Sequence, residues 1–372
     1  MIEVIEVKTK RQLKQFVDFP TKLYRGVKEY VHPLRGDEIN NFIPKKNASL
    51  EDCEVKLFLA KKDGKIVGRI AGIIQHLFNE KTGEKRCRFS RFDSIDDSEV
   101  AKALFVACET WAKEQGMDIV HGPLGFNDLD REGMLIEGFD ELSTFEEQYN
   151  FPYYQRLLEE NGYIKETDWV EYKIFPTDVD PRAERLWKVV LDRYKLRIDE
   201  SKNTRQLIKK YGDQVFDVIN EAYAPLHGTV PITEKVKAQI LKQFGLVIST
   251  KYFITIVDKE DKLVAFGFAM PSLSKAVQKC EGRLFPFGWI KVLKAIKKPE
   301  ILDLALVGIR PNWQGKGLTA VIMRFMANVI KDNKIKYCET NLNLEDNIKI
   351  QQQWEMFEHS QHKRRRCFIK HI

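Results

Sequence analysis

The sequence predicts an α/β protein: a mixed sheet (α+β in character) flanked by helices and built twice along the chain. Three observations carry this. Residues 301–309, ILDLALVGI, form an apolar run that reads as a buried strand, followed by Pro311 and the turn Gln314-Gly315-Lys316-Gly317. Beyond the turn, Leu318, Val321, Ile322, Phe325, Met326, Val329 and Ile330 recur at helical spacing and give one apolar face. Two hairpin patterns, LFLAKKDGKIVGRIAG near 57–72 and YFITIVDKEDKLVAFGFA near 252–269, repeat one design about 195 residues apart.

The elements follow in order. The start, MIEVIEVKTKRQLKQF, alternates as a strand and then becomes a polar helix, so it is not read as a signal peptide. After the first hairpin, Asp96, Asp97 and Ser98 supply N-terminal capping chemistry for a helix to about Gln115, with Val100, Ala103, Leu104, Ala107, Cys108 and Trp111 inward. Asp118–Gly122 is the next strand. A glycine-rich stretch follows, His121–Phe126 and Gly133–Phe139, with Tyr149, Tyr153 and Tyr154 after it. It fits either loop packing or an acceptor pocket at a strand end. A helix and a short strand near Gly162-Tyr163 close the first half. Phe175–Pro181, with two prolines and several turn residues, reads as the junction, giving domains 1–175 and 182–372. In the second half an apolar helix pattern ends at Ala224-Pro225. Phe285, Phe287 and Trp289 precede the 301–309 strand and fit either a core or a cover over an apolar chain. Ile335–Glu339 and a strand near Cys367-Phe368 complete the repeat.

A strand, a glycine turn and a helix aim backbone N–H groups and a positive helix end at one point, which suits a phosphate or pyrophosphate. Glycine lets that group approach the backbone. No GxxxxGK[ST] occurs, which excludes a nucleoside-triphosphatase loop, and no GxGxxG with a later acid, which argues against a dinucleotide fold. The first half has Phe92–Ser98 at the matching place, without glycine and with three carboxylates that would repel a phosphate.

Composition sets the class. A hydrophobic fraction of 43% with 31% charged residues is that of a water-soluble globular chain, and no stretch nears the roughly 20 apolar residues of a membrane helix. The six cysteines are scattered, without C-x-x-C or nearby histidines at ligand spacing, so no metal site is expected and a cytoplasmic location is. Net charge is +7; the run Lys363–Arg366 reads as a basic edge strand or as contacts to a phosphate, not as a nucleic-acid motif. Neither a nucleic-acid nor a membrane partner is expected, and nothing speaks to oligomeric state.

Gln314-Gly315-Lys316-Gly317-Leu318-Thr319, preceded by Ile309-Arg310-Pro311-Asn312-Trp313, resembles the acyl-CoA loop Gln/Arg-x-x-Gly-x-Gly/Ala of the GNAT (GCN5-related) N-acetyltransferases, with Thr319 in place of a small residue. Over nearly its full length the chain resembles tandem GNAT-like bacterial proteins, and the resemblance implies two GNAT-like domains of which only the second keeps the loop. It implies acetyl-CoA or another acyl-CoA as co-substrate. Its arm would lie along Val307, Gly308 and Ile309, its pyrophosphate on the amides of Gln314, Gly315, Lys316, Gly317, Leu318 and Thr319, with Asn343 or Asn347 touching the arm. The implied activity is N-acyl transfer to an unidentified amine. Asp303 and Glu339, carboxylates inside apolar strands, are candidate bases or else residues of a half-exposed strand face. Trp354 stands where the family often has a tyrosine acid, and Leu158 where the first half would have one. That departure supports a second reading, a non-catalytic acyl-CoA sensor or scaffold.

Overall fold

The computed structural model describes residues 1–177, 181–245 and 247–372; Asp178–Asp180, inside the predicted junction, lie outside them. The chain forms two compact units, and neither is one continuous stretch. The first comprises Met1–Val170, Leu273–Val292 and His362–Ile372, the second Glu171–Ser272 and Leu293–Gln361.

In the first unit, β1 (Ile2–Glu6), β2 (Cys53–Lys62), β3 (Lys65–Gln75) and β4 (Arg86–Ser94) pair antiparallel in sequence order. β5 (Ile119–Gly122) then runs parallel to β4. The chain's last strand, β14 (His359–His371), pairs antiparallel with β5 and with β6 (Met134–Glu137). Side chains alternate along β2, and so do their partners. Leu57 and Leu59 pack with Phe16 and Val17 of α1 (Lys10–Leu23), whereas Phe58 and Ala60 face the cluster built on α4 (Ser98–Glu114). Gly72 lets α4 lie close, because a Cβ there would stand 2.6 Å from the Trp111 ring. Short helices α2 (Arg35–Asn40), α3 (His76–Thr82), α5 (Tyr153–Glu160) and α9 (Ser274–Gln278) complete the unit.

Of the tyrosines that follow the glycine-rich stretch, Tyr154 packs in the core. Tyr154 is wholly buried, and its hydroxyl lies 2.8 Å from that of Tyr24 and 3.2 Å from Asp93. Asp93 also accepts from Tyr24 and from Arg69 Nε at 2.8 Å. Thus one of the three carboxylates expected beside the helix start turns into the core. The glycine-rich loop is pinned by buried arginines: Arg88 donates to the Gly125 carbonyl, and Arg91 bridges Asp130 and Glu38.

In the second unit, β7 (Ile164–Ile174) enters from the first and pairs through Lys173 and Ile174 with β12 (Tyr337–Thr340), antiparallel. β11 (Ile301–Ile309) is parallel to β12. β10 (Leu263–Pro271), β9 (Phe253–Val257) and β8 (Arg197–Ile198) continue antiparallel. The closing strands β7 and β14, 11 and 13 residues long, exceed the short ones expected, because period-2 patterning is weak where charged residues alternate with one another. The helices are α6 (Pro181–Tyr194), α7 (Thr204–Tyr223), α8 (Glu234–Phe244), α11 (Leu318–Asp332) and α12 (Ile348–Gln351), with β13 (Asn343–Leu344) between β12 and α12. α10 (Gly288–Lys297) belongs to the first unit as far as Val292 and to the second from Leu293. Two glycines mark the faces that α7 and α11 cover. A Cβ on Gly308 would stand 2.9 Å from Val218 of α7, and one on Gly267 would stand 2.7 Å from Ile322 of α11.

Burial alone would raise the Glu38 carboxyl, yet Arg91, Arg131 and Arg69 outweigh it and hold the group at about 2. A folded-state value below the unfolded one stabilises above the unfolded value, and that gain is lost as pH falls through the folded value. Glu38→Gln should therefore lower stability by ~3 kcal/mol at neutral pH, with the difference from wild type shrinking between about pH 4.5 and 2. Denaturant melts across that range measure it; a pH-independent difference would rule out the ionic origin.

Candidate active site

The site begins where a ladder ends. β11 and β12 pair from Ile301↔Tyr337 to Leu304↔Thr340 and no further. Past that point, among the described residues, β11 keeps only β10 as a strand partner, in the register Phe266↔Gly308 and Ala265↔Ile309. The Arg310 amide donates to the Val264 carbonyl at 3.0 Å, so Arg310 and Gly308 belong to hydrogen-bonded pairs and Val307 and Ile309 to the alternate ones. The N–H and C=O of Val307 and Ile309 therefore point away from β10, towards the side β12 has left. Side chains reach into this edge. Tyr223 Oη donates to the Val307 carbonyl at 3.0 Å, Gln314 Nε2 to the Ile309 carbonyl at 3.4 Å, and Asn341 Nδ2 to the Ala305 carbonyl at 3.4 Å.

Arg310 fixes the start of the loop. It is buried, its Nε donates to the Leu263 carbonyl at 2.7 Å, and its guanidinium pairs with Glu221 of α7. Because Glu221 lies two residues before Tyr223, the same contact sets the end of α7 beside Val307. Pro311–Trp313 form a 3-10 turn, and Gln314–Gly317 leads into α11. Gly315 and Gly317 have φ of 73° and 84°, which L side chains disfavour. Gly317 is the N-cap of α11, and among the described residues no side chain caps that helix. At α4 the corresponding groups are closed: Asp97 accepts from the Glu99 and Val100 amides and is bridged to Lys62 at 2.7 Å. The loop is exposed at Gln314, Gly315 and Gly317, while Leu318 is buried and Thr319 half-buried. Lys316 Nζ sits 4.5 Å from the centre of the Trp313 ring and 5.7 Å from that of Tyr194.

The carboxylates lie deeper. Asp303 and Glu339 occupy facing positions of the β11–β12 ladder, and both are buried at 6% exposure, so neither is on a half-exposed strand face. Glu171, on β7, is buried as well, and its carboxylate comes within 4.8 Å of that of Glu339. Burial, and then the Asp303 charge, push the Cys338 thiol well above its ordinary value. Asn343 is buried, donates to Thr340 Oγ1 and to the Asn341 carbonyl, and accepts from Trp354 Nε1 at 3.1 Å. The Trp354 indole is thus a buttress for Asn343. Asn347 is the N-cap of α12, its side chain accepting from the Ile350 amide. Sequence reasoning missed Tyr223, Asn341 and Glu171. Tyr223 directly precedes Ala224-Pro225, where the apolar helix pattern ends, and so was within reach; Asn341 and Glu171 carried no signal.

This arrangement of strands, glycine loop and helix is the GNAT fold, and the chain carries it in tandem. No protein-family model matches the sequence. The chain superposes over its full length on the tandem GNAT protein from the clavulanic acid biosynthesis pathway (TM-score 0.57, 10% identity, 98% of that chain covered). It does so too on a GCN5-related N-acetyltransferase from Sphaerobacter thermophilus (TM-score 0.51, 11% identity, 95% covered). Among sequence relatives, Protein YghO of Escherichia coli strain K12 is 29% identical over 371 residues, 98% of this chain and 94% of that protein. Bacterial ceramide synthase of Caulobacter vibrioides is 29% identical over 323 residues, 84% of this chain and 82% of that one.

The two loop glycines separate by what surrounds them. A Cβ on Gly315 would meet nothing within 4 Å, whereas one on Gly317 would stand 3.0 Å from Val190 of α6. Gly315→Ala should cost ~1 kcal/mol from backbone strain alone, and Gly317→Ala clearly more. Thermal melts of the two variants check the order, and equal losses would mean that Val190 yields.

Proposed function

We propose that this protein is an acyl-CoA-dependent N-acyltransferase whose second unit binds the co-substrate. One observation carries the reading: a β11 edge without a strand partner leads through two positive-φ glycines into an α11 that no side chain among the described residues caps. The amides of Gln314–Thr319 suit the pyrophosphate, with the helix dipole adding to them. The edge at Val307–Ile309 suits the amide-bearing arm of CoA, which can pair with it as an extra strand would.

Transfer needs an amine made neutral, a donor for the oxyanion and a proton for the thiolate. The amine nitrogen attacks the thioester carbonyl, and the Val307 N–H faces the oxygen that gains charge. The C–S bond then breaks and the sulfur takes a proton. Tyr223 supplies the phenol that position 354 lacks, at the same strand residue. Glu339, with Asp303 facing it and Glu171 close by, takes the amine's proton. Asp303 lies four residues from Val307, about 13 Å of strand, so that proton moves through water and not by direct contact. The acyl group is acetyl or longer. The name of the Caulobacter relative, bacterial ceramide synthase, supports a long-chain amino alcohol as the acceptor.

The second reading, an acyl-CoA sensor without turnover, draws on the spent Trp354 indole. Calorimetry with acetyl-CoA and a long-chain acyl-CoA tests the site: binding should be micromolar in wild type and at least about tenfold weaker in Gly315→Glu. Unchanged affinity in that variant would remove the loop from the site. Tyr223→Phe should keep acyl-CoA affinity and lower kcat by about 100-fold, read as free thiol released with long-chain amines. A near-wild-type rate would clear Tyr223, and binding without thiol release across those amines would favour the sensor.

A further inference from the structure

The segment expected to be core, or to cover an apolar chain, is not core. Phe285 is 83% exposed, Phe287 70%, Trp289 44%, and Ile290 and Leu293 follow at 49% and 39%. Single apolar side chains in water need no explanation, but five within nine residues do. We infer that Phe285–Lys298 is a membrane-docking element that inserts its aromatic turn into the headgroup region of a bilayer bearing anionic lipid.

Charge points to that occupant. Between Arg283 and Lys298 the chain carries five basic residues and no acidic one. On α10 the two kinds of residue separate in part. At helical spacing Trp289, Val292, Leu293 and Ile296 share one arc, and Lys291, Lys294 and Lys297 share the neighbouring one, with Ile290 among them. All three lysines are exposed, and Lys291 Nζ donates to the Lys279 carbonyl at 2.7 Å. An apolar arc beside a basic one is the pattern of a helix lying in a membrane interface, its lysines reaching headgroup phosphates as their stems cover apolar surface.

Polar bookkeeping agrees. The Trp289 indole N–H already donates to the Pro286 carbonyl at 3.0 Å, so the ring can enter an apolar layer without an unmet donor. Phe285 and Phe287 flank Pro286 at the turn before the helix, where two rings project as a wedge. No helix among the described residues is long and apolar enough to cross a membrane, so the contact is peripheral. It is independent of the acyltransferase reading, and it would bring the protein to where long-chain amines reside.

The test is flotation of the full chain, without acyl-CoA, with vesicles of phosphatidylcholine alone and of phosphatidylcholine mixed with phosphatidylglycerol. Wild type should float with the mixed vesicles, and added salt should release it. The double variant Phe285→Ser/Phe287→Ser should partition at least about tenfold less, with an unchanged thermal melt. Lys294→Gln/Lys297→Gln/Lys298→Gln should lose the preference for anionic vesicles. No flotation with either vesicle overturns the inference, as does flotation that the double variant leaves intact. Light scattering covers the remaining occupant: a wild-type dimer that the double variant dissolves, with vesicle binding absent, would make the patch a contact between copies of this chain.

Discussion

The second unit depends on two parallel strands that stop pairing. Backbone donors and acceptors inside a fold must be satisfied, and the β11–β12 ladder meets that need only as far as Leu304 and Thr340. Beyond it, β11 has to find partners one at a time, and it finds the ends of Asn341, Tyr223 and Gln314. These side-chain contacts are replaceable in a way that a ladder is not. A ligand carrying its own amides can take their place without dismantling the sheet. The opening is held from both sides: Arg310 and Glu221 anchor α7 to the strand end, and the Trp354–Asn343 bond anchors the segment after β12.

The first unit repeats the strand order and closes the same features. Its helix after the fourth strand begins with Asp97 on its own amides, leaving no place for a phosphate. Beside its apolar clusters, its interior also holds charge. Arg69, Arg88, Arg91 and Arg365 are almost entirely buried, and several carboxylates are buried with them. Such pairs are costly to desolvate and costly to break, so they fix loops in one arrangement more than they add stability. The Tyr24–Asp93–Tyr154 cluster belongs to the same scheme. A unit of this kind is suited to support, and the chemistry proposed for the protein belongs to the other.

Legibility followed the range of the physics. The 301–332 segment was readable because each part is local: an apolar run, glycines needing positive φ, and a 3.6-residue period. The helix over Ser98–Glu114 and its Asp97 cap were readable for the same reason. The aromatic residues at 285–289 left core and cover both open, since composition cannot tell an aromatic cluster that is buried from one that is not. Trp354 could be recognised as unable to act as an acid, but its hydrogen bond to Asn343 depends on a turn between them. Tyr223 lies 84 residues from Val307, a distance over which periodicity carries no information.

The sequence by itself determined the repeated α/β order, the phosphate-suited loop in one half and the loss of that loop in the other. These follow from residue type and short spacing, which set backbone conformation directly. Only the tertiary structure decided where β12 ends beside β11, which phenol meets the open strand and which carboxylates share a ladder position. It also decided that Leu273–Val292 and His362–Ile372 belong with the first unit. Each of those outcomes is a contact between segments far apart in the chain. Such contacts are selected by the packing of the whole fold, and no local rule states them.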